Sequence, residues 1–587
     1  MNLPLLSPER VKKLKNIARA AELVYQTDPK VAAFEALLFI SDAFLVIYRI
    51  NLFGRFLDET VGYVRAAAVF DLSHYLHSKS FFFFLALFGL WLVANFFSAV
   101  RTYLNERLTL DYQGLMPAKI MAKLAELNMG DVEGGEFQDL LSKVQNYSIA
   151  RILDTYWRVR QVVYHLVKIL SAAFFVSRIN PLLAVGVCIL VLPEILYKYQ
   201  AKGKVRSFVA ETISKQKHAD AIYAQAIRLR NFPELKASGV LKFLEESRAK
   251  VLAELGRGVY GRRFDQYIRG FIFSLADQVF FRLLLFGVVI AAVIRRFTAG
   301  TLQALFQYMI NLYDASLAVC DRLSIVGDNA QYVGDYFDFI NFAGFGDVSI
   351  GERTLPRGAP EVQVVNLSFC YPGRECPALA EVNLRIAPGE KVAVVGADGV
   401  GKTTLVKLLC GLYKIEEGDI LYNGISVRDL RRGELKSKIS VLLEDFIKYD
   451  MSIRKNILLS DAEREHDQHL YRKVLAATLL DAWLEKEGLS DTQILGRVFG
   501  TGMEISAGHW GRIAIARTLY RARPVIIMDE PLIFVDSSTR GRVFENLLEL
   551  VEGRTLIVTL HSLEDVRFFD RAFAVEGGRV SEIHLDS

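Results

Sequence analysis

The segment Gly396–Thr404 has the residue types and spacing of a phosphate-binding loop. It reads GADGVGKTT, follows the apolar run KVAVV and precedes LVKLLCGLY, so the sequence predicts a strand, the loop and then a helix. The glycines let the backbone curl so that its N–H groups face phosphates, and the helix N-terminus adds a positive end. Lys402 would then reach the β- and γ-phosphates, and Thr403 would hold Mg²⁺. The predicted binding residues of this loop are Gly396, Asp398, Gly399, Val400, Gly401, Lys402, Thr403 and Thr404.

Two further apolar runs end in side chains that suit phosphate chemistry. Asp529 and Glu530 follow the run that starts at Val525, and His561 follows TLIVTL. Asp529 suits water-mediated coordination of Mg²⁺, Glu530 suits orientation of an attacking water, and His561 could contact a γ-phosphate. Alone, the two acids could cap a sheet edge and the histidine could be an ordinary loop residue. The phosphate-binding loop upstream favours the catalytic interpretation.

These runs require an α/β domain in the C-terminal part of the chain. The stretch GFGDVSIGERTLPRGAP is typical of a linker, and short β-branched runs alternate with helical stretches after it. We therefore predict an α/β nucleotide-binding domain over 346–587, with the α/β fold of phosphate-loop proteins, and a separate domain over 1–345.

The N-terminal domain is predicted to be an all-α membrane domain with six transmembrane helices. Each of six apolar runs is close to the roughly 20 residues that cross a bilayer. The runs lie near 31–53, 81–101, 155–178, 181–198, 269–294 and 301–324. The first, third and sixth carry charges and could also be buried helices of a soluble domain. The long polar links after the second and fourth runs, with the basic N-terminal segment, are predicted to be cytoplasmic extensions.

Several ionisable residues fall within these runs, where they are costly unless they face a protein interior or a water-filled path. They either line a cavity, or several of them lie near the ends of the spans or pair with each other, as Asp277 and Arg282 would one helical turn apart. These residues are Glu35, Asp42, Glu194, Asp277, Arg282 and Asp314.

Composition excludes other classes of protein. The net charge is only +5 over 587 residues, which argues against a nucleic-acid partner. Five cysteines lack metal-ligand spacing, so we expect reduced thiols without a catalytic role. The first thirty residues lack a signal-peptide pattern, so we expect the N-terminus to be retained.

With six spans, long cytoplasmic links and this C-terminal domain, the chain resembles an ABC exporter half-transporter over essentially its whole length. The resemblance implies that the phosphate-binding loop is the Walker A motif for ATP and that Asp529 and Glu530 form Walker B. It implies that Tyr371 stacks on adenine, that Glu444 stands in the Q-loop and that His561 is the switch histidine. It assigns Ser506 and Gly508 to the signature that contacts ATP of a second subunit, and Asp536 to the D-loop. The implied metal ligands are Thr403, Glu444 and Asp529.

Family architecture further implies a dimer in which each ATP lies between the Walker motifs of one subunit and the signature of the other. Short helices near Gly130–Leu140 and Phe232–Val240 would dock on the ATPase domains.

Three segments depart from the family pattern. Glu444 replaces the glutamine of the Q-loop and brings a negative charge toward a triphosphate. The signature reads ISAGH instead of LSGGQ, and the D-loop neighbourhood reads LIFVD. These changes suit one half of an asymmetric heterodimer whose partner has an intact signature, and they equally suit a homodimer with two slower sites.

The sequence therefore predicts ATP-driven export or flipping of a substrate by a dimer in the plasma (inner) membrane, among membrane lipids, with the N-terminus and ATPase domain cytoplasmic. The alternative is a catalytically weak, regulatory ATP-binding half of a heterodimer. A soluble ATPase of the chromosome or repair type would lack the apolar runs, and an importer usually keeps permease and ATPase on separate chains. Lipids, drug-like compounds, peptides and glycoconjugates remain open as cargo.

Overall fold

The computed structural model describes residues 8–66, 71–228, 231–344, 351–374, 376–462, 464–496, 500, 502–533, 535, 537–561 and 563–583. The chain forms two compact units. One comprises residues 1–119 and 142–339, and the other comprises residues 120–141 and 340–587. The domain boundary predicted at 345 lies outside the described residues.

In the described residues of the first unit, and in the segment 120–141 of the second, the regular elements are helices. Six of these helices are 31 to 54 residues long. The helices are α1 (Pro8–Tyr25), α2 (Pro29–Ala66), α3 (Leu72–Leu76), α4 (Lys79–Leu124), α5 (Met129–Glu133), α6 (Gly135–Lys143), α7 (Ile149–Ile179), α8 (Pro181–Ile227), α9 (Phe232–Ser238), α10 (Leu241–Ile294) and α11 (Ala299–Ile340). A π-helical turn, Val144–Ser148, joins α6 to α7.

The six long helices carry the six predicted apolar runs, and four stretches of the described residues are long and apolar enough to cross a membrane. These stretches are Pro29–Ala66, Lys79–Leu124, Gly135–Ile179 and Tyr267–Ile294. Pro181–Tyr197 is a shorter apolar stretch. At 1.5 Å per residue, the 54 residues of α10 extend over about 80 Å, against about 30 Å of bilayer hydrocarbon. The helices are therefore long enough for the predicted extensions beyond the membrane.

Two of the ionisable residues in these helices pair with arginines rather than with each other. Glu35 is fully buried and forms an ion pair with Arg160, and Asp42 lies 3.3 Å from Arg101. Arg160 also lies over the ring of Phe39, 4.3 Å from its centroid. A third acid, Asp277, accepts a hydrogen bond from Tyr313 Oη at 2.7 Å. Glu35 and Asp42 are thus paired, but with arginines of other helices, and the pairing expected among the six residues themselves is not seen for these two.

The second unit contains two β-sheets with helices between the strands. The strands are β1 (Val362–Phe369), β2 (Leu379–Ile386), β3 (Lys391–Val395), β4 (Glu417–Tyr422), β5 (Ile425–Ser426), β6 (Ile439–Leu442), β7 (Val525–Asp529), β8 (Thr555–Leu560), β9 (Arg571–Glu576) and β10 (Arg579–Ile583). The helices are α12 (Lys402–Leu409), α13 (Glu434–Lys438), α14 (Ile453–Leu458), α15 (Gln468–Ala477), α16 (Leu480–Lys486), α17 (Ala507–Tyr520) and α18 (Ser537–Leu550).

The larger sheet has the strand order β10-β9-β3-β8-β7-β6, and its pairings from β9 through to β6 are parallel. All five residues of β7 and all six of β8 are buried, because helices cover both faces of a parallel sheet. The smaller sheet, β2-β1-β4-β5, is antiparallel. This α/β architecture agrees with the fold predicted for the domain.

The short helix α5 packs on the α/β domain within the second unit. Met129 N donates to Leu412 O at 2.9 Å, and Tyr413 Oη donates to Glu133 Oε1 at 2.7 Å. The docking expected near Gly130–Leu140 is thus confirmed within this chain. Helix α9 belongs to the first unit, and its expected docking stays a prediction.

Candidate functional site

The chemistry-bearing residues of the second unit meet at one edge of the larger sheet. Strands β3, β8, β7 and β6 run parallel, so their carboxyl ends lie side by side, and ligands bind at that edge in open α/β sheets. The register pairs Val395 with Leu560 and Asp529 with Thr559. The loop after β3 therefore lies beside His561, which in turn lies beside Asp529 and Glu530.

The phosphate-binding loop has the predicted strand–loop–helix context. Gly399 and Gly401 have φ of +77° and +115°, which side chains rarely adopt, so both positions require glycine. Lys402 is 4% exposed and donates from Nζ to Gly396 O at 2.7 Å and to Ala397 O at 3.0 Å. Its ammonium is therefore held over the loop, where a phosphate would replace or share these carbonyl contacts.

The two acids after β7 have different environments. Asp529 is 1% exposed, and its Oδ1 accepts from Thr559 Oγ1 at 2.6 Å. The same Oγ1 accepts from Glu530 N at 2.9 Å. Glu530 has a φ of +51°, a conformation that costs on the order of 1–3 kcal/mol in a non-glycine residue and is found mainly at functional sites. Thr559 was not singled out from the sequence, since a threonine inside a β-branched run gives no signal of this role.

Four charged side chains form a chain of contacts at this edge. His561 pairs with Glu530 through Nε2 and lies 3.0 Å from Asp398 Oδ1 through Nδ1. Glu530 Oε1 also lies 3.6 Å from Lys402 Nζ. Asp398 is 88% exposed, whereas Glu530 is 7% exposed. The sequence placed all four in the site, and the structure brings them together.

A divalent cation fits the acidic side of this edge. Asp529 Oδ2 is buried and has no hydrogen-bond partner among the described residues. The pKa of Glu444 is raised, mainly by desolvation and secondly by repulsion from Glu530 and Asp529. A hard cation that prefers oxygen ligands would bind the buried Oδ2 of Asp529 and offset the repulsion between the acids. Mg²⁺ is a cation of this kind.

Tyr371 lies beside α12. Its Oη is 3.0 Å from Thr404 Oγ1, and its ring packs edge-on against Phe369 and Tyr413. Val400 packs against the same apolar cluster as Tyr371. The contacts hold the tyrosine close to the first turn of the helix that follows the phosphate-binding loop.

The altered signature caps α17. Ser506 is the N-cap residue, with Oγ accepting from His509 N at 3.3 Å and lying 2.6 Å from His509 Nδ1. The His509 ring packs on Trp483 at 4.1 Å between centroids. Gly508 stands in the first turn of the helix, and Asp536 lies outside the described residues. The Trp483 contact was not foreseen, because it joins residues distant in sequence.

Comparisons with known proteins agree with this geometry. Residues 379–533 match the ABC transporter family. The subtilin transport ATP-binding protein SpaT of Bacillus subtilis is 25% identical over 505 residues, which cover 85% of this chain and 81% of that protein. The nisin transport ATP-binding protein NisT of Lactococcus lactis is 22% identical over 582 residues, covering 97% and 93%. The ATP-dependent lipid A-core flippase of Escherichia coli K12 is 28% identical over 324 residues, covering 53% and 52%.

A solved structure extends the likeness to the fold of the whole chain. A bacterial Atm1-family ABC exporter with ATP bound has a TM-score of 0.75 and 18% identity, over 94% of this chain and 95% of that one. The chain thus has the ABC exporter fold, with an ABC transporter domain over 379–533 and helices long and apolar enough for a multi-pass membrane protein.

Proposed function

We propose that this chain is one half of a dimeric ABC exporter that hydrolyses ATP to move a substrate across a bacterial inner membrane. The observation that carries the proposal is the meeting of Lys402, Glu530 and His561 at the carboxyl edge of the larger sheet. In this proposal one chain supplies a catalytic acid–base pair, Glu530 and His561, and a phosphate-binding cation, Lys402.

The residues take distinct roles in this proposal. The loop amides and Lys402 bind the β- and γ-phosphates. Glu530, fixed by its backbone bond to Thr559, orients the attacking water, and His561 donates a hydrogen bond to the γ-phosphate. Tyr371 supports the adenine.

The Mg²⁺ ligands in this proposal are Thr403, Glu444 and Asp529, directly or through water. The metal neutralises charge on the phosphates when it is bound. The unpartnered Oδ2 of Asp529 is the structural support for this assignment.

Export also requires the membrane helices and a second subunit. Signature residues Ser506 and Gly508 stand at an N-terminus of a 14-residue helix, which favours anions, and in a dimer they would face the ATP of the other subunit. The orientation follows the sequence prediction, with the N-terminus and the ATPase domain cytoplasmic. Nucleotide-driven closure then shifts the membrane helices only if ATP binds the closed form more tightly.

A second candidate, a regulatory ATP-binding half of a heterodimer, is favoured by one observation. Ser506 Oγ is already engaged by His509, and the family glutamine and middle glycine are missing. In that case the catalytic residues of this chain would require a partner with an intact signature.

Mg-ATP hydrolysis by the chain alone in lipid nanodiscs tests the proposal. Glu530→Gln keeps the size of the side chain and removes the base, and we expect turnover to fall at least about 100-fold. Glu545→Gln, the same change at an exposed site on α18, is the matched control and should leave turnover unchanged. Dimers are measured in the same sample by light scattering.

If the chain alone hydrolyses Mg-ATP and Glu530→Gln abolishes this turnover, the chain is a competent homodimer. Candidate cargo can then be screened for compounds that stimulate hydrolysis. ATP binding with turnover equal to that of Glu530→Gln would instead favour the regulatory half.

A further inference from the structure

The side chain of Asp398 spans from the loop after β3 to the residue that follows β8. It stands inside the phosphate-binding loop, and its Oδ1 lies 3.0 Å from His561 Nδ1 while most of the carboxylate is exposed to solvent. Lys402 turns to the loop carbonyls and Glu530 instead of to Asp398. The contact with His561 is thus the specific one that the structure gives to this carboxylate.

This contact decides how His561 carries its protons. A carboxylate accepts and cannot donate, so Nδ1 must carry a proton to bond to Asp398. Glu530 accepts as well, so the contact at Nε2 and a bond donated to a γ-phosphate both need a second proton at Nε2, and the bond at Nδ1 fixes the orientation of the ring. With Nδ1 fixed, Nε2 points to Glu530, toward the place where the γ-phosphate would lie.

The other contacts of His561 cannot supply this orientation. Glu530 meets the ring at Nε2, and in the proposed reaction Glu530 must also serve the attacking water. His561 is 39% exposed, so packing alone leaves the ring room to turn. An anchor at Nδ1 is what keeps Nε2 directed at the phosphate when the Glu530 contact is given up.

We propose that Asp398 is a positioning residue that holds the Nδ1–H of His561 and thereby directs the second N–H of the ring, at Nε2, toward the γ-phosphate. The inference rests on the proposed ATPase function and adds a role for this chain's own aspartate. Asp398 acts through His561, and the triphosphate is bound by Lys402 and the loop amides. The negative charge of Asp398 is secondary to its ability to accept a hydrogen bond.

Steady-state hydrolysis by the full chain in nanodiscs separates this role from charge repulsion. Asp398→Ala removes the acceptor, and Asp398→Asn keeps an acceptor oxygen while removing the charge. We expect Asp398→Ala to lower kcat about 10-fold, with the KM for Mg-ATP within about twofold of the wild-type value. Asp398→Asn should recover most of kcat. Glu549→Ala, at an exposed position on α18, is the control and should change neither constant.

The His561→Ala background tests whether Asp398 acts through the histidine. In that background Asp398→Ala should cause no further loss of kcat, because a positioning residue has nothing left to position. A further loss of similar size would overturn the proposal. So would equal effects of Asp398→Ala and Asp398→Asn, or a fall in KM in both, since these indicate that charge repulsion is the dominant effect.

Histidine-¹⁵N spectra of the same samples distinguish failure of this inference from failure of the proposed function. The chain has nine histidines, and His561→Ala identifies the relevant signal. A protonated Nδ1 is expected in the wild type and in Asp398→Asn, and its loss is expected in Asp398→Ala. This result would stand even for a chain without turnover, whereas an unchanged signal in Asp398→Ala would refute the positioning role.

Discussion

The phosphate-binding edge and the signature helix differ in what their functional side chains contact. At the sheet edge, Lys402 and His561 come from separate strand ends and both contact Glu530. At the N-terminus of α17, Ser506 is bound by His509 only three residues away, and His509 rests on Trp483. The sheet edge brings together side chains from distant parts of the chain. At the signature helix, the hydroxyl of Ser506 already has a partner three residues away.

The difference follows from the elements that build each region. A parallel sheet sets the register of neighbouring strand ends, so it holds several side chains at one point without any ligand. A helix N-terminus exposes backbone N–H donors that need acceptors. Here the side chain of the capping residue Ser506 accepts from one of them, the N–H of His509. From this comparison we predict that ATP binds at the sheet edge of this chain even without a partner, whereas hydrolysis also depends on what faces the signature.

The largest effect is expected for Lys402→Ala, which breaks the phosphate-binding edge. Loss of a charge-assisted hydrogen bond of about 1.5–3 kcal/mol corresponds to about 10- to 100-fold weaker binding. Equilibrium titration of Mg-ATP against the nanodisc-embedded chain measures this. Lys473→Ala, at an exposed position on α15, is the control and should bind ATP within about threefold of the wild type; equal losses in both variants would contradict the assignment of Lys402.

Ser506→Ala breaks the signature region and tests whether it acts in trans. Turnover in a homodimer should fall about 10-fold, with Mg-ATP affinity within about twofold, because the serine belongs to the site of the other subunit. The substitution also removes a helix cap worth about 1 kcal/mol.

Ser452→Ala is the matched control for that cap, since Ser452 caps α14 by accepting from Lys455 N at 3.2 Å. Both variants should lose similar stability in thermal unfolding, but only Ser506→Ala should lose turnover. A parallel loss of turnover in Ser452→Ala would mean that stability, and not phosphate contact, limits the rate.

Glu444→Gln sharpens the comparison at the sheet edge. It restores the amide that the family favours and removes a charge that repels Glu530 and Asp529; desolvation and then this repulsion raise the pKa of Glu444. Mg-ATP affinity should increase about 3-fold, because glutamine keeps a side-chain oxygen as a ligand and removes the charge repulsion. Calorimetric titration at fixed Mg²⁺ measures it, and weaker binding would show that the metal requires a charged ligand here.

The smallest change is expected for His509→Gln, which restores the signature glutamine. It releases Ser506 Oγ from the imidazole, so turnover should rise about 2-fold. It also removes the contact with Trp483, which should lower the free energy of unfolding by about 0.5–1.5 kcal/mol. Hydrolysis rate and denaturant unfolding measure the two effects separately. A fall in turnover would instead assign His509 a direct role in the site.

The sequence predicted the site at the sheet edge well, because each part has a local signature. The glycine spacing before Lys402 and the acids after an apolar strand need no tertiary information to be found. It could not predict that Thr559 joins Asp529 to Glu530, since a threonine is ordinary within a buried strand. The partners of Glu35 and Asp42 were equally hidden, because Arg160 and Arg101 come from other helices.

By itself the sequence determined the α/β ATPase domain, the long apolar helices and the candidate residues that meet at the carboxyl edge of the larger sheet. Hydrophobic periodicity, glycine spacing and acids after an apolar run are local properties, so they can be recognised in the amino-acid sequence without the structure. Only the tertiary structure decided that Asp398 reaches His561, that Glu444 is repelled by Glu530 and that Ser506 is held by a histidine packed on Trp483. Those outcomes depend on distances between strand ends and helices, which sheet register and packing set.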